Sequence, residues 1–550
     1  MTSVNLKDLN KPMKQGRGKG SLWLLAMLLF FVFLRLPTLY EPLGRDQGIF
    51  ATIASGLLEG KIPYRDLWDH KPPGIYVLYA LAFKLLGMGI RSIPLFDGLY
   101  TIFTLLLFFK LAKEFFDRNS AYLATLLLTI LLSGIFFLGW WGRGQPEVFI
   151  LLPLLGMIYL LKPVELRERP SSFILLAGIS GGIAFSLKST IFPLLFLIFL
   201  FLLIESGINS EGIKKGTLKV LLFSLGVIIA LLPFLIFFWV NGALHDVIYS
   251  NVTFNLITHI NHPFNLDFLK KMINTLYRIG GEIPFIWLTI LILAVYRIGQ
   301  ITKDEKKKGG LLIMWSIGTL LSISIGWWLF YYHFIILIPP LALLASSGLF
   351  QLMDRLPSQG RKIHQMSRRP LLYLFISLLS FEFLFAYLHS YVSTGITPAL
   401  IGGEKTDQEE IYSRFRVQEF TLKDFSFSED YRISLYLRGH TQKAEKIFIW
   451  GWESLIYFLS ERKPASRFIF IYPLIQSDFD TRENFRKILL AELKKERPRY
   501  FVVARKDQNP IDEIGSEKRL SSFPEVLELL KLKYYKEKET ESFILYRRIK

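Results

Sequence analysis

The 550-residue sequence contains no cysteine, which excludes disulfide bonds and thiolate chemistry and says little about the compartment. Charged residues are also scarce, at 20% of the chain, whereas 51% of the residues are hydrophobic and 15% are aromatic. The mean hydropathy is +0.36. A chain this apolar is not a soluble protein with an ordinary core. The composition therefore predicts a polytopic membrane protein.

Acidic residues are few relative to basic ones: 46 Asp and Glu stand against 65 Lys and Arg, which gives a net charge of +19. Such an excess is compatible with a nucleic-acid partner, but its distribution indicates membrane topology instead. Basic residues cluster after alternate apolar runs, near residues 110–118, 162–169, 214–219, 297–308 and 355–369. Clusters of this kind mark cytoplasmic loops. We therefore predict a bilayer environment and no nucleic-acid partner.

The apolar runs predict the transmembrane helices. Residues 1–20 are basic, and no small-x-small cleavage site follows the first run, so we expect an uncleaved anchor with a cytoplasmic N-terminus. The eleven predicted spans are residues 21–39, 92–110, 119–138, 148–161, 172–187, 189–204, 217–240, 282–296, 311–329, 333–352 and 371–390.

The apolar segment Gly74–Met88 is not counted among the spans. At about fifteen residues it is short for a crossing, and counting it would move every later basic cluster to the opposite side of the membrane. We expect it to be an interfacial helix. The C-terminus is then external, and the protein is a multi-pass protein of the cell membrane (inner or plasma membrane).

The loop Leu43–Gly74, after the first span, is rich in polar and charged residues. Apolar residues at helical spacing after Asp46 predict a short helix that ends near Gly60, with Asp46 as its N-cap and one apolar stripe. The segment Trp68–Pro73 then predicts a stiff turn, because proline fixes φ and disfavours helix. Lys71 is thereby held on a defined backbone at the membrane interface.

An Asp that opens a short helix after the first span, followed about 25 residues later by Lys71-Pro72-Pro73, resembles the membrane glycosyltransferases of the GT-C fold. The most similar in style are the glycosyltransferase family 39-like enzymes, which are relatives of the protein O-mannosyltransferases and of lipid A aminoarabinose transferase. The resemblance covers roughly residues 20–390. It departs at Gln47, where the O-mannosyltransferases have Glu, and at His70, where the aminoarabinose enzyme usually has Glu.

The resemblance implies a donor in which a sugar is linked to a polyprenyl phosphate, and an acceptor hydroxyl on a lipid, glycan or protein at the outer face. A single displacement of this kind inverts the anomeric carbon. It implies Asp46 as the catalytic base that takes the hydroxyl proton. Lys71 is the first candidate for the donor phosphate, with Lys188, Arg143 and His333 behind it. The alternatives are a helix cap for Asp46 and an interface anchor for Lys71.

Further site candidates lie where other predicted spans meet the same face. Glu147 ends the loop Gly139–Glu147. The alternative is that Trp140 and Trp141 are interface anchors and Glu147 is only a loop charge. Tyr332 precedes His333 in an aromatic–His–apolar–Pro-Pro pattern that is also similar to the GT-C family. Here the alternative is an aromatic belt with a capping histidine. Lys188 alternatively snorkels to the interface.

A metal site is not predicted. Asp69 and His70 are adjacent, and the loop 241–281 holds His245, His259 and His262, but no tight ligand spacing links these residues. We therefore expect the loop histidines to be surface residues. No cofactor is required by the residues, although use of a divalent cation stays open.

From residue 395 the composition becomes charged and alternating, which predicts two domains: a transmembrane catalytic domain over 1–394 and an external domain over 395–550. Apolar strands near 446–452, 466–473, 499–505 and 541–548 alternate with helices, so we expect a small α/β domain with a mostly parallel sheet. Neither a Gly-rich phosphate loop nor a catalytic serine motif occurs in it. An acceptor-binding domain or a structural cap is expected.

Two other functions remain open. A non-catalytic polyprenyl-lipid-binding scaffold would keep Lys71 and the aromatic belts but would not need Asp46. A lipid-linked-sugar transporter would carry intramembrane charges and paired halves with broken helices. The sequence shows no internal repeat, and its charges gather in loops.

Overall fold

The computed structural model shows a helical membrane part and a C-terminal domain with a small sheet. It describes residues 17–133, 142–162, 170–208, 212–260, 264–281, 283–301, 306–355, 361–393, 408–415, 426–509 and 511–549. The predicted anchors Trp140 and Trp141, His262, the stretches 163–169, 302–305 and 356–360 of the basic clusters, and the 394/395 domain boundary lie outside these residues. The side chain of His259 also lies outside them.

The helices of the membrane part follow the apolar runs. They are α1 (Arg17–Arg35), α2 (Arg45–Leu58), α3 (Gly74–Leu86), α4 (Ser92–Phe115), α5 (Arg118–Ser133), α6 (Pro146–Phe149), α7 (Leu151–Leu160), α8 (Ser171–Leu187), α9 (Phe192–Ile208), α10 (Gly212–Val240), α11 (Leu244–Ile248), α12 (Phe254–Ile260), α13 (Leu266–Gly281), α14 (Pro284–Gly299), α15 (Lys306–Ile325), α16 (Ile338–Arg355) and α17 (Arg361–Ser393). Leu36–Tyr40, Ser189–Ile191 and Tyr331–Leu337 are 3-10 turns, and Tyr249–Thr253 is a π-helical turn.

Helical structure overlaps each of the eleven predicted spans. Within the described residues, five helical segments are long and apolar enough to cross a membrane: Ser21–Tyr40, Ser92–Phe115, Lys214–Val240, Lys308–Ile325 and Tyr331–Arg355. The other overlapping helices are shorter, so the total of eleven stays a prediction. The chain is a multi-pass helical membrane protein with a C-terminal α/β domain, which confirms the predicted fold class.

Helix α2 begins two residues earlier than predicted, at Arg45. Its N-cap is Gly44, whose N–H donates to Oε1 of Gln47 at 2.9 Å, so the expectation that Asp46 caps this helix is wrong. The expected single apolar stripe is also wrong, because α2 is buried on nearly every side. Gly48 shows why: a Cβ there would lie 2.7 Å from that of Leu455 in the C-terminal domain. Helix α2 is therefore covered by that domain.

Helix α3 is only 13 residues long, as expected for a segment that does not cross the membrane. Its first residue, Gly74, packs so closely against the end of α8 that a Cβ would lie 2.7 Å from the carbonyl oxygen of Ser186. Near its other end, Phe83 stacks on Phe458 of the C-terminal domain, with ring centroids 5.1 Å apart. These contacts fix the Lys71-Pro72-Pro73 turn, which leads directly into α3.

The C-terminal domain contains a four-stranded sheet with the order β1-β2-β4-β3. The strands are β1 (Ile447–Trp450), β2 (Tyr500–Ala504), β3 (Tyr534–Glu539) and β4 (Phe543–Arg548). The helices are α18 (Gln408–Arg414), α19 (Phe427–His440), α20 (Leu455–Ser460), α21 (Tyr472–Gln476), α22 (Phe479–Glu496), α23 (Ser516–Arg519) and α24 (Pro524–Lys533), with a 3-10 turn at Leu520–Ser522.

The expected mostly parallel sheet is wrong, because only β1 and β2 pair in parallel while β2–β4 and β3–β4 are antiparallel. The predicted strand at 466–473 is not formed. It is buried, but it turns into helix α21, and Pro473 lacks the N–H that a ladder needs. Strand β3 takes its place as a hairpin partner of β4. The division into domains at residues 394 and 395 stays a prediction.

Candidate active site

A cavity of about 650 Å³ lies between the membrane helices and the C-terminal domain. It contains most of the sequence-predicted site: seven of the nine candidate residues line it, and Arg143 and Glu147 do not. The candidates that line it are Asp46, Asp69, His70, Lys71, Lys188, Tyr332 and His333. The C-terminal domain contributes Trp452, Phe470, Tyr472, Asn509 and Ile511. Segments more than 450 residues apart thus form one chamber.

Asp46 lies in the first turn of α2 and is half-buried at the cavity wall. Its Oδ2 accepts a hydrogen bond from the hydroxyl of Tyr332 at 2.9 Å and a longer one from Nε2 of Gln145 at 3.4 Å. Both donors use the same oxygen. The other oxygen, Oδ1, is therefore the one that can accept a proton or a hydrogen bond from a substrate.

The turn before α3 holds three charged or titratable side chains in contact. His70 donates its backbone N–H to Oδ1 of Asp69 at 2.7 Å, and its Nδ1 lies 3.1 Å from the same oxygen. Nε2 of His70 lies 3.2 Å from Nζ of Lys71. The hydroxyl of Tyr64 donates to the Lys71 carbonyl at 2.8 Å, and the hydroxyl of Tyr76, which donates to Asp69 at 2.7 Å, also lies 3.2 Å from that carbonyl. The lysine backbone is thereby fixed from two sides.

The electrostatics of this turn keep Lys71 available for a ligand. Burial and the Lys71 ammonium both lower the pKa of His70, and Asp69 opposes them only in part, so the imidazole is neutral at pH 7. Burial would raise the pKa of Asp69, but its hydrogen bond from His70 and the nearby Lys71 outweigh burial and lower it. Among the described residues, no carboxylate lies within ion-pair distance of the Lys71 ammonium.

Lys188, His333 and Glu147 form a second cluster. The ammonium of Lys188 donates to Oε1 of Glu147, whose side chain is only 1% exposed. Nε2 of His333 lies 3.7 Å from that same oxygen. Lys188 and His333 reach the cavity, whereas Glu147 lies behind them. The charge of Lys188 is therefore largely neutralised before any ligand binds, unlike that of Lys71.

Arg143 is placed elsewhere. Its Nε donates to Oε2 of Glu41 at 2.7 Å, and its Nη2 donates to the hydroxyl of Tyr391 at 3.0 Å. Tyr391 donates in turn to Glu41 at 2.8 Å. A buried guanidinium that is held this way is structural, and it does not line the cavity. The arrangement speaks against Arg143 as a phosphate ligand.

The chain was compared with protein-family models and with solved structures, and both comparisons found matches. A family model described as dolichyl-phosphate-mannose-protein mannosyltransferase matches residues 70–238. The crystal structure of ArnT from Cupriavidus metallidurans bound to undecaprenyl phosphate is similar over 96% of this chain and 98% of that chain, with a TM-score of 0.60 and 12% identity. The chain has the GT-C fold.

A second solved structure of the GT-C fold, the archaeal oligosaccharyltransferase AglB from Archaeoglobus fulgidus in complex with an inhibitory peptide and a dolichol-phosphate, matches with a TM-score of 0.52 and 13% identity. The match covers 97% of this chain and 74% of the AglB chain. A family model of the C-terminal domain of the competence-induced protein Ccs4 matches residues 427–549. A search of curated proteins found no match.

These findings confirm the resemblance to GT-C membrane glycosyltransferases of the family 39-like type. Family match and fold together indicate a glycosyltransferase of the GT-C type.

Several residues in or beside this cavity were missed by sequence reasoning. Gln145 precedes a proline that begins α6, and nothing in the local sequence indicates that its amide reaches Asp46. Arg45 donates to both carboxylate oxygens of Glu453 at 3.0 Å, a pairing across 408 residues. Trp452 lies two residues after β1, and its place at the end of a predicted strand of an α/β domain is the one local signal that it lies near a ligand-binding edge.

The described residues contain no group of three or more His, Asp or Glu side chains arranged to hold a metal. Asp69 and His70 line the cavity, but Asp69 already accepts from Tyr76 at 2.7 Å and from His70. His245 is exposed and does not line the cavity. These residues do not fit a divalent cation, and no step below depends on one.

Proposed function

We propose that the chain transfers a sugar, a hexose or a pentose, from a polyprenyl-phosphate-linked donor to an acceptor hydroxyl at the outer face of the membrane, with inversion of the anomeric carbon. The observation that supports this best is the juxtaposition within one cavity of the carboxylate of Asp46 and the ammonium of Lys71, which has no carboxylate partner among the described residues. A base and a phosphate ligand are the two groups that such a transfer needs.

The lipid part of the donor has a matching surface. Leu231, Phe234, Leu235 and Phe238 lie at i, i+3, i+4 and i+7 of α10, so one face of a predicted membrane-spanning helix lines the cavity. Phe185 and Phe192 add to this wall. An apolar surface that joins the bilayer to a polar chamber suits an isoprenoid chain with a phosphate at its end. The similar structures with undecaprenyl phosphate and dolichol-phosphate bound support this class of lipid.

Lys71 is the proposed phosphate ligand. A departing polyprenyl phosphate leaves as an anion and is stabilised by positive charge that is already in place. Lys71 meets this requirement because its backbone is fixed and no described carboxylate neutralises its ammonium. Lys188 and His333 remain secondary candidates. Their contacts with Glu147 must loosen before either one can give a full charge to a ligand.

Asp46 is the proposed base. Tyr332 and Gln145 hold its Oδ2 in place, which leaves Oδ1 for the acceptor hydroxyl. In the transfer, the acceptor oxygen forms a bond to the anomeric carbon as the bond from that carbon to the phosphate oxygen breaks. The hydroxyl proton moves to Asp46. The acceptor therefore approaches from the Asp46 side while the phosphate rests near Lys71.

The test is transfer of label. Purified protein in nanodiscs is incubated with polyprenyl-phosphate-linked hexoses and pentoses that carry a labelled sugar, together with lipid, glycan and protein fractions from the source cells. We expect label to enter one acceptor fraction, and NMR of the product to show the inverted anomer. Binding of the lipids without any transfer supports the scaffold instead. Movement of intact labelled lipid across a liposome membrane supports the transporter.

A further inference from the structure

We infer that the C-terminal domain supplies a subsite for the sugar ring of the donor, built by Trp452 and Tyr472 beside Asn509. The inference rests on the proposed function, because it needs a sugar attached to the phosphate that Lys71 binds. It assigns a role in substrate recognition to the C-terminal domain, which in the proposed reaction only covers the cavity.

The topology of the sheet places these residues at the cavity. Strands β1 and β2 run in parallel, so their carboxyl ends lie at the same edge of the sheet. Trp452 lies two residues after β1, and Asn509 follows β2 five residues on, and both line the cavity. In α/β sheets, ligands bind outside the carboxyl ends of parallel strands. The cavity meets this mixed sheet at the corresponding edge, beside the carboxyl ends of its parallel pair β1 and β2.

The side chains at this edge have the chemistry of a carbohydrate site. The rings of Trp452 and Tyr472 lie 5.5 Å apart with a tilt of 39°, and Phe470 lies 6.2 Å from Trp452. Aromatic surface with a few polar groups is a common lining for small-molecule sites, and the C–H faces of a sugar pack on such rings. Asn509 adds an amide whose NH2 makes, among the described residues, only a 3.4 Å contact with the Asp507 carbonyl.

The indole N–H of Trp452 has no hydrogen-bond partner among the described residues. Trp452 is only 7% exposed, and its Nε1–H finds no acceptor among the described residues. A buried tryptophan N–H usually donates a hydrogen bond, and a buried donor without an acceptor is costly. A sugar hydroxyl is an acceptor of suitable size and polarity for this donor. Because Nε1 is itself buried, a sugar hydroxyl reaches this donor only if the ring turns toward the cavity when the ligand binds.

The position of this wall relative to Lys71 indicates that its ligand is the sugar of the donor. The rings of Tyr472 and His70 lie 5.2 Å apart, and Nε2 of His70 lies 3.2 Å from the Lys71 ammonium. A phosphate at Lys71 therefore lies next to this wall. In the donor, the sugar is bonded directly to that phosphate, whereas the lipid extends toward the apolar face of α10. The ring adjacent to the phosphate then falls against Tyr472 and Trp452.

The subsite is tied to the proposed base. Glu453 follows Trp452 and forms the bidentate ion pair with Arg45, which precedes Asp46. Thr52 also donates to the Ser454 carbonyl at 3.0 Å. One buried ion pair and one hydrogen bond thus hold the loop after β1 against α2. These contacts thereby fix the position of the sugar-binding wall relative to the Asp46 carboxylate.

The experiment compares two kinds of lipid on the reconstituted full chain. Dissociation constants are measured for bare undecaprenyl phosphate and for a panel of undecaprenyl-phosphate hexoses and pentoses. We expect the wild type to bind at least one sugar lipid about fivefold or more tighter than the bare lipid. In Trp452→Leu this ratio should fall to within about twofold of one, while affinity for the bare lipid stays unchanged.

Two further variants make the result decisive. Trp452→Phe keeps a ring and removes only the N–H, so it should lower the ratio by about twofold or more even if the leucine variant does not fold. Trp23→Leu, at an exposed tryptophan of α1 outside the cavity, should leave both affinities unchanged.

The inference is overturned if the wild type prefers no sugar lipid, if both Trp452 variants keep the ratio, or if they weaken both lipids equally. Failure of the wild type to bind the bare lipid is a separate outcome, because it contradicts the proposed function itself.

Discussion

Replacing Lys71 by methionine tests whether the turn before α3 binds the donor phosphate. Methionine keeps the length and the apolar stem of the side chain and removes its charge. A charge-assisted contact with a phosphate is worth about 1.5–3 kcal/mol. The dissociation constant for undecaprenyl phosphate should therefore rise about 10- to 150-fold.

The structure also predicts what Lys71→Met should leave intact. The lysine ammonium contacts His70 and, among described residues, no carboxylate, so its removal strands no buried charge. The free energy of unfolding should change by less than about 0.5 kcal/mol. Loss of lipid binding without loss of stability is the signature of a ligand-binding charge.

The assay is a titration of purified protein in nanodiscs with undecaprenyl phosphate, beside a thermal-unfolding scan. Lys463→Met is the matched control, because Lys463 pairs with Glu59 at a half-exposed surface position. Its dissociation constant should stay within about twofold of the wild type. An unchanged lipid affinity in a folded Lys71→Met protein would refute the assignment of Lys71 to the phosphate.

Lys188→Met should act on stability, because it leaves Glu147 buried without its ammonium: the free energy of unfolding should fall by about 3–5 kcal/mol. Adding Glu147→Gln should restore most of that loss, and a thermal scan in which the double variant is no more stable than the single one contradicts the pairing. Burial raises the pKa of Asp507 from 3.8 to about 6, so the folded state holds the proton more tightly than the unfolded state. Relative to Asp507→Asn, stability should therefore fall by on the order of 3 kcal/mol as pH rises from about 4 to about 6, and stay level above; a flat difference in denaturant titrations excludes this. Reporters fused at Asn119 and Lys550 should report cytoplasm and exterior, respectively, and a cytoplasmic C-terminus overturns the eleven-span topology.

Sequence predicted the parts of the fold that depend on local patterns. Apolar runs located helices, because burial in a bilayer is visible as length and hydropathy. The Lys71-Pro72-Pro73 turn was also local, since two prolines restrict the backbone regardless of context. Such patterns identified seven candidate residues that line the cavity, without any knowledge of the tertiary structure.

The pairings of charges were not predictable. Arg143 and Lys188 both lie in loops at the ends of predicted spans. Arg143 pairs with Glu41, 102 residues away, whereas Lys188 pairs with Glu147. A local pattern indicates that a charge lies near the interface, whereas its partner is decided by helix packing. Lys188 meets a carboxylate, whereas Lys71 meets none among the described residues, and this difference is visible only in three dimensions.

The C-terminal sheet shows the limits of apolar patterning. Strand β3 is largely exposed and reads Tyr-Tyr-Lys-Glu-Lys-Glu, so it carries the charges typical of an edge strand and no apolar alternation. The segment 466–473 is apolar but serves as a buried aromatic layer against the cavity. Hydrophobicity reports burial, and a layer of rings beside a site is as buried as a strand.

Asp46→Asn tests the central claim of catalysis most directly. Asparagine keeps the size of the side chain and an oxygen for Tyr332 while it removes the charge that accepts a proton. We measure transfer of labelled sugar from the polyprenyl-phosphate donor to acceptor, together with donor affinity and thermal stability. The account predicts a loss of about 10²–10⁴ in transfer rate, with donor binding and folding intact. A folded Asp46→Asn protein that transfers sugar at a near-normal rate would contradict it and favour the lipid-binding scaffold.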